Sequence, residues 1–230
     1  MEIEILFEDD YIVIVNKPNN VLIHNSYYAR NIKEPTLLNL LLKQFNQNFY
    51  PVHRLDRKTS GVLLLVKQKE NVSMFQELFN SNSIEKTYLG IVRGLINTSI
   101  KIDSPVKNPD TMVYKAAETF CKPLLTKNLD IAVKPYDTSR YSLVELIPTS
   151  GRMHQLRIHM NKISHPIIGD YMYGDRFHNR MFEDEFNCHN LFLHANALKI
   201  EHPITNKIIN IESSLPNNWY TIFNIFEWKL

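Results

Sequence analysis

HRLDRKTSGVLLLVK, residues 53–67, joins two physically different segments. Gly61–Lys67 is a short run of glycine, β-branched and leucine residues closed by lysine, which predicts a buried strand. Ahead of it lies a polar cassette of Arg54, Asp56, Arg57, Lys58, Thr59 and Ser60. One carboxylate among three cations, held against a core strand, suits work on an anionic substrate. An ordinary salt-bridged loop has the same composition.

On the N-terminal side, Ile3–Phe7 and Tyr11–Val15 flank Glu8-Asp9-Asp10 and predict a hairpin. Asn16-Lys17-Pro18-Asn19-Asn20 is a turn, with proline fixing φ and asparagines that tolerate positive φ. Val21–Ile23 reads as a resumed strand and His24–Pro35 as a polar loop. Thr36–Phe45 is a helix, with Leu37, Leu38, Leu41 and Leu42 at helical spacing and Thr36 as N-cap. On the C-terminal side, Glu70–Asn80 sets Val72, Phe75, Leu78 and Phe79 on one helical face. Glu85–Val92 is a strand ending at Arg93-Gly94. Asn97–Lys134 carries Pro105, Pro109 and Pro123 and reads as short edge strands and loops. Tyr141–Ile147 is a strand and Gly151–Ile163 a helix. Leu191–Ile200 with Lys207–Ile211 forms a closing strand pair, and Leu215–Phe226 a helix carrying Trp219. Without a regular βαβ rhythm, the pattern predicts one α+β domain over residues 1–230, with a mixed, mainly antiparallel central sheet flanked by helices and loops.

The chain has 230 residues, 44% of them hydrophobic and 22% charged, the composition of a soluble globular protein. No apolar run approaches a membrane span, and MEIEILFEDD lacks the basic start of a signal peptide. Cys121 and Cys188 are too few for a disulfide framework and predict reduced thiols in the cytoplasm. A net charge of +2 neither announces nor excludes nucleic acid. An RNA partner needs charge gathered locally, as in Arg54–Lys58 and Arg152–Lys162.

In GRMHQLRIHMNKI, residues 151–163, the residues Met153, Leu156, Met160 and Ile163 define a buried face, and Arg157 shares it. A guanidinium cannot deprotonate, so burial demands a carboxylate such as Asp56; otherwise Arg157 lies at the rim and snorkels to water. Tyr88, on its strand, reads alone as a core residue with a bonded hydroxyl. His154, His159 and His165, or Cys188-His189 with His194, match no common zinc spacing. There is no glycine-rich phosphate loop and no GxSxG elbow. No metal and no cofactor are expected.

HRLDRKTSG resembles the signature of the RluA-type pseudouridine synthases, and the likeness continues along nearly the whole chain. Asp9-Asp10 through Asn16-Lys17-Pro18 is similar to the family's opening motif, Lys86-Thr87-Tyr88 to its tyrosine motif, and Ser150–Arg157 to its arginine-helix motif. His165–Asp170 with Tyr173-Gly174-Asp175, and Leu193-His194-Ala195 with His202-Pro203, complete the pattern. Tyr136–Tyr141 and Asp175–Arg180 resemble more narrowly the bacterial branch acting on uridine 65 of certain tRNAs, whereas Ile158 and Tyr173 look like the wider family. Asn19-Asn20 replaces a small residue and glycine, and asparagine supplies the left-handed turn.

The resemblance implies a single catalytic domain without an S4-like RNA-binding module, and conversion of uridine to pseudouridine in a flipped-out base. Asp56 would be the catalytic aspartate. Arg157 would favour its ionised form, and Tyr88 would stack on the base. Arg54 would fill the vacated stack, while Arg57, Lys58, Arg152 and His154, with Arg176 and Arg180 further out, would contact the RNA. The acidic Glu183-Asp184-Glu185 reads as a solvated loop facing away from it. tRNA is the expected partner, with no membrane and no obligate protein partner. A 23S rRNA synthase of the same family and a vestigial RNA-binding module are the alternatives. A glycosidase also cleaves at C1′ but needs a second acid, which these motifs lack.

Overall fold

The computed structural model describes residues 1–25, 33–81, 83–108 and 111–229. The chain runs β1 (Glu4–Glu8), β2 (Ile12–Lys17), α1 (Leu37–Phe45), β3 (Tyr50–Pro51), β4 (Ser60–Val66), α2 (Val72–Asn80), β5 (Glu85–Arg93) and β6 (Ile100–Asp103). It continues through β7 (Val106–Lys107), β8 (Tyr114–Lys115), β9 (Glu118–Leu129), β10 (Ser139–Pro148), α3 (Gln155–Lys162) and α4 (Arg176–Phe186). β11 (Leu193–Glu201), β12 (Ile208–Glu212) and α5 (Asn217–Phe226) close it. The α+β class with a mainly antiparallel sheet holds. The backbone divides into two compact units, Met1–Lys86 with Ala195–Ser214, and Thr87–His194 with Leu215–Leu230.

In the first unit β1 pairs β2 as the expected hairpin, and β2 pairs β4 antiparallel from Ile12↔Val66 to Lys17↔Gly61. All seven residues of β4 are buried, which is why the segment reads as a continuous apolar run rather than an alternating one. Ile12, Ile14, Val62, Leu64, Val66, Phe75, Leu198 and Ile200 share one core cluster. Gly61 has φ +110°, and a Cβ there would stand 2.2 Å from the Ala195 carbonyl oxygen, so β4 approaches β11 closely at the cassette's end. Thr36 caps α1, accepting from the Asn39 N–H at 3.3 Å while the Asn39 side chain accepts from the Thr36 N–H at 3.2 Å.

Two expectations fail here. Val21–Ile23 is not a strand: the Leu22 and Ile23 carbonyls instead accept the N–H groups of Leu37 and Leu38 at 2.7 and 3.2 Å, satisfying first-turn donors of α1. Leu42 is exposed, so the buried stripe of α1 is Leu37 and Leu41. The central part of the His24–Pro35 loop lies outside the described residues.

The second unit orders its strands β5-β10-β9-β6, with antiparallel pairing throughout. β9 corrects the piecemeal reading of Asn97–Lys134. Twelve residues run straight through Pro123, which sits where the β9–β10 register shifts by one residue. The bulge absorbs the missing N–H. α4 was not expected at all. Its inner face is half polar, with His178 and Asn179 buried beside Met181 and Phe182. α3 starts at Gln155, not Gly151, because His154 takes a left-handed φ of 57°; Met153 is consequently exposed and not core. α5 brings Trp219 and Phe226 into an aromatic cluster with Tyr141, Phe182 and Phe192, as its apolar spacing predicts.

Candidate active site

Asp56 lies at the head of β4, in a turn closed by the Thr59 N–H donating to the Asp56 carbonyl at 3.1 Å. A second loop fastens this turn from beneath. Lys17, at the end of β2, is fully buried, and its Nζ donates to the carbonyls of Pro18, Val21 and Arg57 at 2.9, 2.9 and 3.0 Å. The Arg57 guanidinium donates through Nε to the Asn20 carbonyl at 3.1 Å, and the Asn19 side-chain amide donates to the Lys58 carbonyl. Asn20 adopts φ 64°, the left-handed turn expected of asparagine in place of glycine. Burial pulls the Lys17 ammonium down to about 7, against the Asp56 carboxylate, which favours the charged form, while the Arg57 cation adds to the lowering. Asp56, Arg57 and Lys58 are half-buried and Arg54 is exposed. At the cassette's start, His53 accepts the Leu64 N–H at Nε2 over 2.9 Å and stacks on Phe79 at 4.2 Å. Burial, then the Lys86 charge, push its pKa down to about 3, so the ring is neutral.

In the second unit Tyr88 stands on β5 opposite Leu146 and packs on a core cluster that includes Leu156 and Met160 of α3. That places the tyrosine strand and the arginine helix on one core. Arg157 is buried, which excludes snorkelling, and it has a carboxylate partner that its sequence neighbourhood does not single out. Asp170 receives Nε at 2.7 Å through Oδ2 and Nη2 at 2.9 Å through Oδ1. The Asp170 Oδ1 also accepts the N–H groups of Met172 and Tyr173 at 2.9 and 3.1 Å. Burial raises the Asp170 pKa, but hydrogen bonds and charge from Arg157, with the Tyr173 and Met172 amides, outweigh it and leave the carboxyl below its ordinary value. The Tyr173 ring lies 5.1 Å from the Arg157 Cζ, and its hydroxyl meets the His154 Nδ1 at 3.1 Å. His154 thus belongs to the arginine's surroundings, through Tyr173. Asn179, from α4, holds the Gly169–Asp170 turn by accepting the Gly169 N–H and donating to the Asp170 carbonyl, at 2.8 and 2.9 Å.

The outer cations divide. Arg152 is exposed, its Nε on the Ala116 carbonyl at 3.1 Å. Arg176 lies over the Phe177 ring at 4.7 Å, and Arg180 pairs with Asp184 at 3.3 Å on the exposed face of α4. Glu183-Asp184-Glu185 is therefore helical, not a loop, and Glu183 accepts from the Tyr171 hydroxyl. Lys17 and Asp170 escaped the residue-level reading. Lys17 ends a strand that opens with four apolar residues and leads into a proline, and Asp170 follows the buried arginine within a quoted motif; those positions were the available signals. Among the described residues no three His, Cys, Asp or Glu side chains gather as a metal site, and no helix is long and apolar enough to cross a membrane. What the first unit offers is an aspartate on a turn whose backbone is tied at the Asp56, Arg57 and Lys58 carbonyls.

Known proteins agree with this layout. The family model described as RNA pseudouridylate synthase matches residues 11–162. The chain is 40% identical over 240 residues to the tRNA pseudouridine synthase C of Pasteurella multocida (strain Pm70), covering 100% of this chain and 98% of that protein. It is 38% identical over 238 residues to the tRNA pseudouridine synthase C of Vibrio parahaemolyticus serotype O3:K6 (strain RIMD 2210633), covering 99% and 96%. Among solved structures, human RNA pseudouridylate synthase domain containing 1 is similar with a TM-score of 0.73 at 25% identity, over 94% of this chain and 84% of that one.

Proposed function

The chain belongs to the RNA pseudouridylate synthase family, and on that premise we propose that it isomerises uridine to pseudouridine in tRNA, at uridine 65, in the cytoplasm, as one catalytic domain. The carrying observation is the Asp56 turn, tied by Lys17 through the Arg57 carbonyl and flanked in sequence by Arg54, Arg57 and Lys58. The choice of tRNA rests on the near full-length identity to enzymes named tRNA pseudouridine synthase C.

The reaction breaks the C1′–N1 bond, turns the uracil and joins C5 to C1′, with no net oxidation or hydrolysis. Flipping a stem uridine costs a few kcal/mol, which Arg54, planar and cationic, offsets by entering the stack. Asp56 acts as an ionised carboxylate on the flipped nucleotide. Arg157 is the second charged residue the reaction draws on, its Nε–Nη2 edge kept in place by Asp170. Tyr88 stacks on the uracil, and Arg57, Lys58 and Arg152 grip phosphates, setting affinity and salt dependence more than sequence choice.

The test is carbodiimide-and-alkali mapping of pseudouridine across total tRNA and rRNA from wild-type and deletion cells. Loss at uridine 65 of tRNA alone, restored by the wild-type gene but not by Asp56→Ala, is expected. Loss at an rRNA site instead overturns the target and keeps the chemistry. No loss anywhere from expressing cells overturns both.

A further inference from the structure

A basic cleft on the second unit shares only Arg152 with the site described above. The β7–β8 ribbon pairs Val106 with Lys115 and Lys107 with Tyr114. Its near end is tied by the Asn108 N–H donating to the Val113 carbonyl at 2.9 Å and by the Thr111 N–H donating to the Asn108 Oδ1 at 3.1 Å. Against the ribbon runs the segment before α3. Arg152 donates Nε to the Ala116 carbonyl, and its own N–H donates to the Gln155 Oε1 at 3.0 Å, so the guanidinium is pinned rather than trailing in solvent. Between them lies a cleft of about 200 Å³ lined by Lys107, Lys115, Arg152, Gly151, Met153 and neighbouring ribbon residues. Among the described residues, three cations line it and no carboxylate does. At Gly151 none of them lies within 4 Å of where a Cβ would stand.

The ribbon that flanks the cleft carries exposed apolar side chains. Tyr114 is 63% exposed, Met112 60% and Val113 54%. Lys107 Nζ sits 5.8 Å from the Tyr114 ring centroid, so a cation and an aromatic face are presented together. Cations alone would serve any anion. Cations beside an offered aromatic ring suit a polymer with a phosphate and a flat base in each repeat, and a lining whose described charges are all positive disfavours an arginine- or lysine-bearing peptide.

We propose that this cleft binds a backbone phosphate of the substrate RNA through Lys107, Lys115 and Arg152, with Tyr114 stacked on an adjacent unpaired base. The identity of the RNA rests on the pseudouridine synthase reading; the phosphate and stacking interactions do not. The ribbon thereby extends the grip on RNA beyond the isomerised nucleotide and adds to affinity and target choice.

The experiment measures binding of unmodified tRNA to the full chain over a series of salt concentrations, with thermal unfolding as a control. Lys107→Gln combined with Lys115→Gln is expected to lower the slope of log affinity against log salt by about 0.7–0.9 for each phosphate no longer neutralised. Tyr114→Ala is expected to weaken binding about tenfold, from the loss of about 1–3 kcal/mol of stacking, whereas Tyr114→Phe keeps it. An unchanged slope in the lysine variant, with the fold intact, overturns the cleft, as does Tyr114→Ala binding like wild type. Pseudouridine formation by the unaltered chain is scored on the same RNA. Normal product with an unchanged slope retires the cleft alone, and a reduced slope without product retires the enzymatic reading while supporting the cleft.

Discussion

Each unit of this chain buries a cation, and the two solve the problem differently. Lys17 is surrounded by three neutral carbonyls, Arg157 by a carboxylate that meets its fork with both oxygens. Neutral dipoles satisfy the ammonium's donors without balancing its charge, so burial pulls its pKa down to about 7. The guanidinium keeps its charge, and its partner's carboxyl is held below the ordinary value. Lysine can yield its proton when desolvated, while arginine cannot. The carbonyl cage is therefore a tie for a loop, and the carboxylate pair fixes a guanidinium on α3 with its charge balanced.

That contrast breaks most visibly at Asp170. Asp170→Ala leaves Arg157 buried without that carboxylate and is expected to cost about 3–5 kcal/mol in urea unfolding. Replacing both partners, Arg157→Met with Asp170→Leu, is expected to recover most of that stability without activity. Lys17→Met is the smaller lesion. Three carbonyls lose a donor, costing about 1–3 kcal/mol, and turnover falls further than stability because the Arg57 carbonyl, next to Asp56, is released.

The pH responses share a sign but fall in different windows, and they sharpen the comparison further. Lys17 binds its proton less tightly folded than unfolded, so between pH 7 and the ordinary 10.5 the unfolded chain carries the extra proton. Its penalty is full below pH 7 and is relieved as pH rises toward 10.5. The stability difference between wild type and Lys17→Met should shift in wild type's favour across that window. Asp170 has the same sign in an acid window: its contribution is present above the ordinary carboxyl value of 3.8 and is lost as pH falls through the folded value beneath it. Equilibrium unfolding along a pH series, with Asp170→Asn as the control, separates the two.

The same contrast explains what could be read in advance. β4 and the β1–β2 hairpin were legible because nearly every buried position is apolar, and α1 because Thr36 supplies its cap. Asp56, Tyr88 and Arg157 are singled out by the motifs around them. α4 was not, because His178 and Asn179 occupy its inner face, His178 bonded to the Tyr141 hydroxyl at 2.8 Å and Asn179 to the Asp170 turn. Buried polar residues whose partners are distant in sequence erase the apolar period. β9 was hidden by Pro123, a breaker that a one-residue register shift renders harmless. Lys17 and Asp170 were hidden for a related reason. A lysine reads as solvated until three carbonyls are seen around it, and an arginine's carboxylate can come from anywhere in the chain.

The most direct measurement follows tritium released from uracil C5 when the purified chain meets a tRNA transcript carrying that label. Joining C5 to C1′ must expel the C5 hydrogen. Release by the wild-type chain, its loss in Asp56→Asn, and tRNA affinity kept within about twofold in that variant are the expected results. Release that continues in Asp56→Asn would contradict the assignment of Asp56 as the reacting carboxylate.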